Sequence, residues 1–404
     1  MAKPNSSAIN SSRLQAFQKL NINADHRAIL CLDGGGMRGI LTIQLLKQLE
    51  ITAGIPCYEL FDMVAGTSTG GIIAGLIASG HTAFDIETMY ENLVTEVFDH
   101  RLLGNRFINP PAFTKEKYRA LLQQIIGDVT LNEACSKTDI DLMITVQDMS
   151  AAEETFFSVF KQSDGSFYGT YQDVLLRAVM EATMSAPTYF YPMERFVDGG
   201  TTTYNNPALA AFMEAVSYSN ADKNPNDSLY KISQITLFSF GTGISREFIK
   251  PTETIDLKGI DLVFWLNWLM TEMGQDASAM QVDAFRSPMI QHTIDFRRFQ
   301  ISLDPQAINK LPNIDSLDEE KYESKWLHDL TEKILGKIDM ADITKFDLMK
   351  IIGQQMAAFI MNDGGAFTKD LAENNRDILV TALGDITRIK KQMSSAEFIN
   401  SLKA

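Results

Sequence analysis

The sequence predicts an α/β protein with a largely parallel sheet sandwiched between helices, and three observations lead there. From Ala28 onward, short runs rich in Val, Ile, Leu and Phe alternate with helical ones, the pattern of βαβ units. Two glycine-rich stretches, "DGGGMRGI" at 33–40 and "AGTSTGG" at 65–71, each stand where an apolar run gives way to a helix. A chain of 404 residues, 45% of them apolar, exceeds the roughly 250–300 residues at which a single core stops growing. One large α/β unit with an appended subdomain, or two domains, is therefore expected.

In chain order, residues 1–27 are polar and Asn- and Ser-rich, an arm that is either loose or carries a short helix around "RLQAFQKL". Strands are predicted at "AILCL" (28–32), "FDMVAGTS" (61–68), "DLMITVQDM" (141–149), "TFFSVF" (155–160) and "ITLFSF" (235–240), with helices through "LTIQLLKQLE" and "GIIAGLIASG" between them. Polar connections at 218–231 and 304–325 are the linker candidates. Beyond the second, "WLHDLTEKIL" (326–335) and "DLMKIIGQQMAAFI" (347–360) place apolar residues at helical spacing. The expected division is an arm (1–27), a core domain (28–305) and a helical C-terminal subdomain packed on it (306–404).

The formal charge of −15 argues against a partner held by bulk positive charge, so no nucleic acid polymer is expected. Cys31, Cys57 and Cys135 are too few and too scattered for a disulfide framework or a zinc site, which suits a reducing compartment. The N-terminus lacks a continuous apolar segment, and no stretch reaches the ~20 apolar residues of a membrane span. The expectation is a cytoplasmic protein that touches membranes only peripherally, with leaderless export as an open alternative. Its most concentrated apolar segment is "IDLVFWLNWLM" (260–270), with Phe264, Trp265, Trp268 and Leu269. It reads either as a buried core helix or as a lipid-contacting lip.

Three readings compete for the first glycine stretch. Gly34-Gly35-Gly36-Met37-Arg38-Gly39 satisfies G-x-G-x-x-G, but the acidic residue of a dinucleotide site would fall near 50–55, where a helix ends. A P-loop lacks its Gly-Lys-Ser/Thr close. A plain strand-to-helix turn stays open. The second stretch contains Gly66-Thr67-Ser68-Thr69-Gly70, a G-x-S-x-G between an apolar strand and an apolar helix, the setting of a nucleophile elbow. Taken together, the stretches offer a serine nucleophile and bare N–H groups around Gly35 and Gly36 for a tetrahedral oxyanion, with Arg38 either holding an anion or locking the loop. The base is the remaining need. Of His26, His81, His100, His292 and His328, none stands in a glycine turn at a strand end. Asp198 does, in "RFVDGG", where Gly199 and Gly200 turn the chain. A partly buried carboxylate there would have its pKa raised and accept the serine proton directly.

"DGGGMRG", "GTSTGG", "ATMSAPTYF" (182–190), "DGG", "NNPA" (205–208) and "FGTG" (240–243) resemble the patatin-like phospholipases, serine lipid acyl hydrolases with a Ser–Asp dyad. The resemblance covers roughly 28–243. It implies a three-layer α/β/α fold, Ser68 as nucleophile, Asp198 as base, an oxyanion hole at Gly34, Gly35 and Gly36 beside Arg38, and Gly39, Gly66, Gly70, Gly199 and Gly200 as motif glycines. It further implies no metal or cofactor and a phospholipid or lysophospholipid substrate. Relatives of this kind include cyclic-nucleotide-activated enzymes and secreted effectors with a host activator, so a small-molecule or protein activator is an open expectation. An acyltransferase of similar fold is the alternative, although Thr67 stands where its G-H-S-x-G motif needs histidine.

Overall fold

The computed structural model describes residues 11–98, 113–218, 229–244, 262–303, 308, 311, 338, 341–362 and 367–368, with the backbone alone at 218 and 262–272. Eight strands make one sheet: β1 (Arg27–Leu32), β2 (Met63–Thr67), β3 (Asp141–Asp148), β4 (Glu153–Lys161), β5 (Phe167–Tyr168), β6 (Phe196–Asp198), β7 (Ile235–Phe240) and β8 (Asp295–Phe299). The helices are α1 (Ser11–Lys19), α2 (Gly39–Ala53), α3 (Cys57–Leu60), α4 (Thr69–Ala78), α5 (Ala83–Phe98), α6 (Glu116–Ile125), α7 (Leu131–Thr138), α8 (Leu176–Thr183), α9 (Ala208–Tyr218), α10 (Leu262–Phe285) and α11 (Phe346–Asn362).

Across the sheet the order is β5-β4-β3-β2-β1-β7-β8. The five strands from β3 to β8 run parallel, and β4 and β5 are added antiparallel at one edge. Side chains alternate between two cores. Ala28, Leu30, Leu32, Leu142, Ile144 and Phe238 face the layer of α2, α4 and α5, and Ile29, Cys31, Met63, Ala65 and Leu237 face α9 and the end of α10, where Ala211 and Phe285 are buried. Burial on both faces explains why the parallel strands read as unbroken apolar runs. The expected α/β sandwich with a mainly parallel sheet is the observed fold.

The arm is partly built into the body, since Phe17 and Leu20 are fully buried and Arg13 pairs with the buried Asp62. From the C-terminal region, α11 lies on α2, so closely that a Cβ at Gly353 would come within 2.9 Å of the Leu41 backbone. Its Lys350 pairs with Glu87 and Glu91 of α5 at 3.0 and 2.6 Å. The helix expected at 326–335, most of both polar connections, and the side chains of 260–270 lie outside the described residues. All three cysteines are buried and unpaired. No described helix is long and apolar enough to cross a membrane.

The ends of two strands are brought together along β3. β4 lines one edge of β3 from Leu142 to Asp148, so β6, which pairs antiparallel with Val146–Asp148, must take the other edge. β2 occupies that same edge up to Thr67, opposite Thr145. Two strands running toward each other thus end on adjacent rungs of β3, Thr67 opposite Thr145 and Asp198 opposite Val146.

Candidate active site

Ser68 sits between the end of β2 and the start of α4 with φ 53 and ψ −124, a backbone conformation that costs a non-glycine residue on the order of 1–3 kcal/mol and persists only where the surroundings impose it. Its neighbours supply that constraint. A Cβ on Gly66 would be driven into the backbone of Gly70 and Gly71, and one on Gly70 into the carbonyl of Leu32, so β1, β2 and α4 meet at backbone contact. The Ser68 N–H donates to Thr183 Oγ1 at 2.8 Å, and Thr183 Oγ1 donates in turn to the Thr145 carbonyl at 2.8 Å. The elbow is thereby tied through α8 to β3.

Across the gap between the strand ends, Ser68 Oγ donates to Asp198 Oδ2 at 2.7 Å. The other carboxylate oxygen accepts the Gly200 N–H at 2.7 Å, and the Asp198 N–H donates to the Ser185 carbonyl at 3.1 Å. Gly199 is pressed against Thr145, with no room for a side chain. Burial pushes the Asp198 carboxyl up to about 6, although the bonds from Ser68 and Gly200 pull it back down. A carboxylate of that basicity, in contact with a hydroxyl, is chemically suited to take its proton near neutral pH. None of the described histidines bonds to Ser68 or Asp198: His26 meets Asn23 and Thr236, and His292 meets Gln291. Among the described residues no group of acidic, histidine or cysteine side chains is arranged to hold a metal.

The loop 33–39 is held beside the elbow, with Gly34 so close that a Cβ there would come to 3.0 Å from Ser68 Cβ. Gly36 has φ 57, in the left-handed region that favours glycine. The Asp33 carboxylate, buried, is paired with the buried Arg298 of β8, with Nη1 to Oδ1 at 2.7 Å. One expectation changes here. The Gly34 N–H donates to the Asn205 carbonyl at 3.1 Å, so it is spent and cannot also serve an oxyanion. Gly35 and Gly36 are the glycines whose N–H groups have no partner among the described residues. Arg38 Nε donates to the Gly35 carbonyl of its own loop at 3.3 Å. At Gly39 a Cβ would crowd Tyr90 and Thr69.

The structure therefore gathers Ser68, Asp198, Gly200 and Gly34 together, with Gly35 and Gly36 next along the loop. Thr183, Asn205 and Arg298 join them without having been singled out as site residues from the sequence. Thr183 and Asn205 lie in "ATMSAPTYF" and "NNPA", whose blocks carried a signal. Arg298 had none, because two adjacent arginines in "DFRRF" do not look like a buried strand.

Known proteins match this part of the chain. The Patatin-like phospholipase family model matches residues 30–212, a span containing the glycine loop, Ser68 and Asp198. The 85/88 kDa calcium-independent phospholipase A2 of Rattus norvegicus is 32% identical over 247 residues, which cover 57% of this chain and 29% of that one. The cGAMP-activated phospholipase of Escherichia coli is 30% identical over 203 residues, 46% of this chain and 55% of the other. Patatin-like protein 2 of Arabidopsis thaliana is 24% identical over 406 residues, 90% and 91% of the two chains. The matched region thus spans less than a third of the first relative and about half of the second. Residues 30–212 carry a domain that matches the patatin-like phospholipase family.

Proposed function

We propose that the protein is a lipid acyl hydrolase that cleaves fatty acyl esters of phospholipids or lysophospholipids, with Ser68 as nucleophile and Asp198 as its base. The observation that carries this reading is the 2.7 Å hydrogen bond from Ser68 Oγ to Asp198 Oδ2 on a carboxyl whose pKa burial raises to about 6. In the first step the Oγ–carbonyl carbon bond forms, the serine proton passes to Oδ2, and the carbonyl oxygen becomes an oxyanion accepting from the Gly35 and Gly36 N–H groups. The ester C–O bond then breaks, Asp198 returning the proton to the leaving alcohol. Water attacks the acyl-serine and gives a proton to Asp198, and collapse of the second tetrahedral intermediate returns that proton to Ser68 Oγ and releases the fatty acid.

Contact with the lipid surface is peripheral in this reading, which the lack of any membrane-spanning helix among the described residues supports. The cGAMP-activated relative favours a second, compatible reading in which a small molecule switches the enzyme on. The test is incubation of the purified chain with mixed phospholipid vesicles, with and without cyclic dinucleotides, and identification of released fatty acid and lysolipid by mass spectrometry. Ser68→Ala should lower turnover by ~10³-fold or more. Retained turnover in that variant, with contamination excluded, overturns the assignment.

A further inference from the structure

Three consecutive peptide planes of the glycine loop are each held by the carbonyl. The Gly34 carbonyl accepts from the buried Thr242 Oγ1 at 2.9 Å and more distantly from Asn205 Nδ2 at 3.5 Å. The Gly35 carbonyl accepts from the Arg38 N–H at 3.2 Å and from Arg38 Nε at 3.3 Å. The Gly36 carbonyl accepts from the hydroxyl of Tyr90, a fully buried side chain on α5, and from the Gly39 N–H. In a trans peptide the C=O and the following N–H point in opposite directions. Pinning the carbonyls of Gly34, Gly35 and Gly36 therefore fixes the peptide planes on both sides of Gly35 and Gly36, whose N–H groups have no partner among the described residues.

The anchors fit the loop closely. A Cβ on Gly35 would be driven into the Thr242 side chain, so only glycine lets the strand-end threonine reach the carbonyl. A Cβ on Gly39 would come to 2.7 Å from the Tyr90 hydroxyl, so the fourth glycine of the stretch makes room for the tyrosine. Glycine loops are otherwise free to rotate, and a donor that must reorient during the reaction stabilises an oxyanion less than one already in place.

We propose that Tyr90 and Thr242 are positioning residues of the oxyanion hole: Thr242 holds the Gly34 carbonyl and, across the same peptide plane, the Gly35 N–H, while Tyr90, together with the Gly39 N–H, holds the Gly36 carbonyl and so fixes the C-terminal side of the residue that carries the Gly36 N–H. This rests on the hydrolase reading. Neither side chain touches the substrate. Thr242 lies outside the family-matched region and inside "FGTG", which gives that block its task.

The test uses the full chain and two hydroxyl deletions, Tyr90→Phe and Thr242→Val, with Ser79→Ala as comparator. Ser79 Oγ donates to the Gly75 carbonyl at 2.9 Å, a buried bond of the same kind at the far end of α4, ~15 Å of helix from Ser68. On a soluble short-chain ester, each of the two variants should lower kcat by about tenfold with KM within about twofold, less than the 10²–10³ that loss of a donor itself costs. The Ki of an alkyl trifluoromethyl ketone, whose adduct with the serine carries an oxyanion, should rise by a similar factor, while the acid limb of the pH profile stays in place because the dyad is untouched. Ser79→Ala should leave kcat and Ki as they are, whatever it does to the melting temperature. Unchanged kcat and Ki in both hydroxyl variants, or equal losses in Ser79→Ala, overturn the proposal. Turnover surviving Ser68→Ala overturns instead the hydrolase reading beneath it, and the two failures are distinguishable in the same assay.

Discussion

Replacing Asp198 by Asn should make the protein more stable and nearly inactive, and the two effects should separate with pH. Burial raises the Asp198 carboxyl from 3.8 to about 6, so the folded state holds its proton at a pH where the unfolded chain has already released it. The resulting stabilisation of the protonated form is fully present below about 4 and is lost as pH rises through about 6. Above that pH the folded protein carries a buried charge that costs about 3 kcal/mol relative to the unfolded chain. Asparagine is neutral at every pH and escapes this cost. It forfeits part of the gain, because one of the Ser68 and Gly200 donors then faces an amide nitrogen, a loss of about 1 kcal/mol. The net expectation at pH 8 is about 2 kcal/mol of added stability, or a Tm higher by about 3–6 °C. At pH 4 the variant should show no advantage. Hydrolysis should fall by ~10³-fold or more, while the wild-type kcat/KM rises with pH to half its plateau near 6. Melting curves at pH 4, 5, 6 and 8 beside ester turnover decide the matter. A Tm difference independent of pH, or an active Asp198→Asn, would refute the reasoning.

Gly70→Ala should cost on the order of 3 kcal/mol or prevent folding, because its methyl group would meet the Leu32 carbonyl where β1 and α4 touch; urea unfolding measures this. Thr183→Val leaves the Ser68 N–H and the Thr145 carbonyl buried without partners, and should cost about 2–4 kcal/mol and lower turnover as the elbow loosens. Thr183→Ser, which keeps the hydroxyl, should recover both, and equal damage in the two variants would show that the methyl group, not the hydrogen bonds, matters.

The sequence shows the fold most clearly where burial on both faces imposes apolar composition, as in "AILCL" and "ITLFSF". It shows the fold least where a strand carries charge or is very short. β8, "DFRRF", has two arginines at its centre, yet Arg297 and Arg298 are both buried. Arg297 donates to the carbonyls of Leu20, Asn21 and Phe367, and Arg298 pairs with Asp33. Leu20, Asn21 and Asp33 lie 277, 276 and 265 residues away in sequence and Phe367 70 away, and no local pattern announces them. The spent N–H of Gly34 is hidden for the same reason, because its acceptor, Asn205, is brought near only by the tertiary fold.

The candidate dyad shows both sides of this limit. Each half is local: a glycine-flanked serine between strand and helix, and an aspartate before two glycines. Their meeting is not local, because it depends on β6 pairing with three residues of β3 beyond the point where β2 stops. That register places Thr67 and Asp198 opposite neighbouring residues of β3, about one strand step of 3.3–3.4 Å apart, and leaves Ser68 Oγ 2.7 Å from the carboxylate. An imidazole between the two would need the width of its ring and a second hydrogen bond, and end-to-end strands have no such space. The direct Ser–Asp contact, and the lack of a described histidine bonded to it, are thus two consequences of one strand pairing.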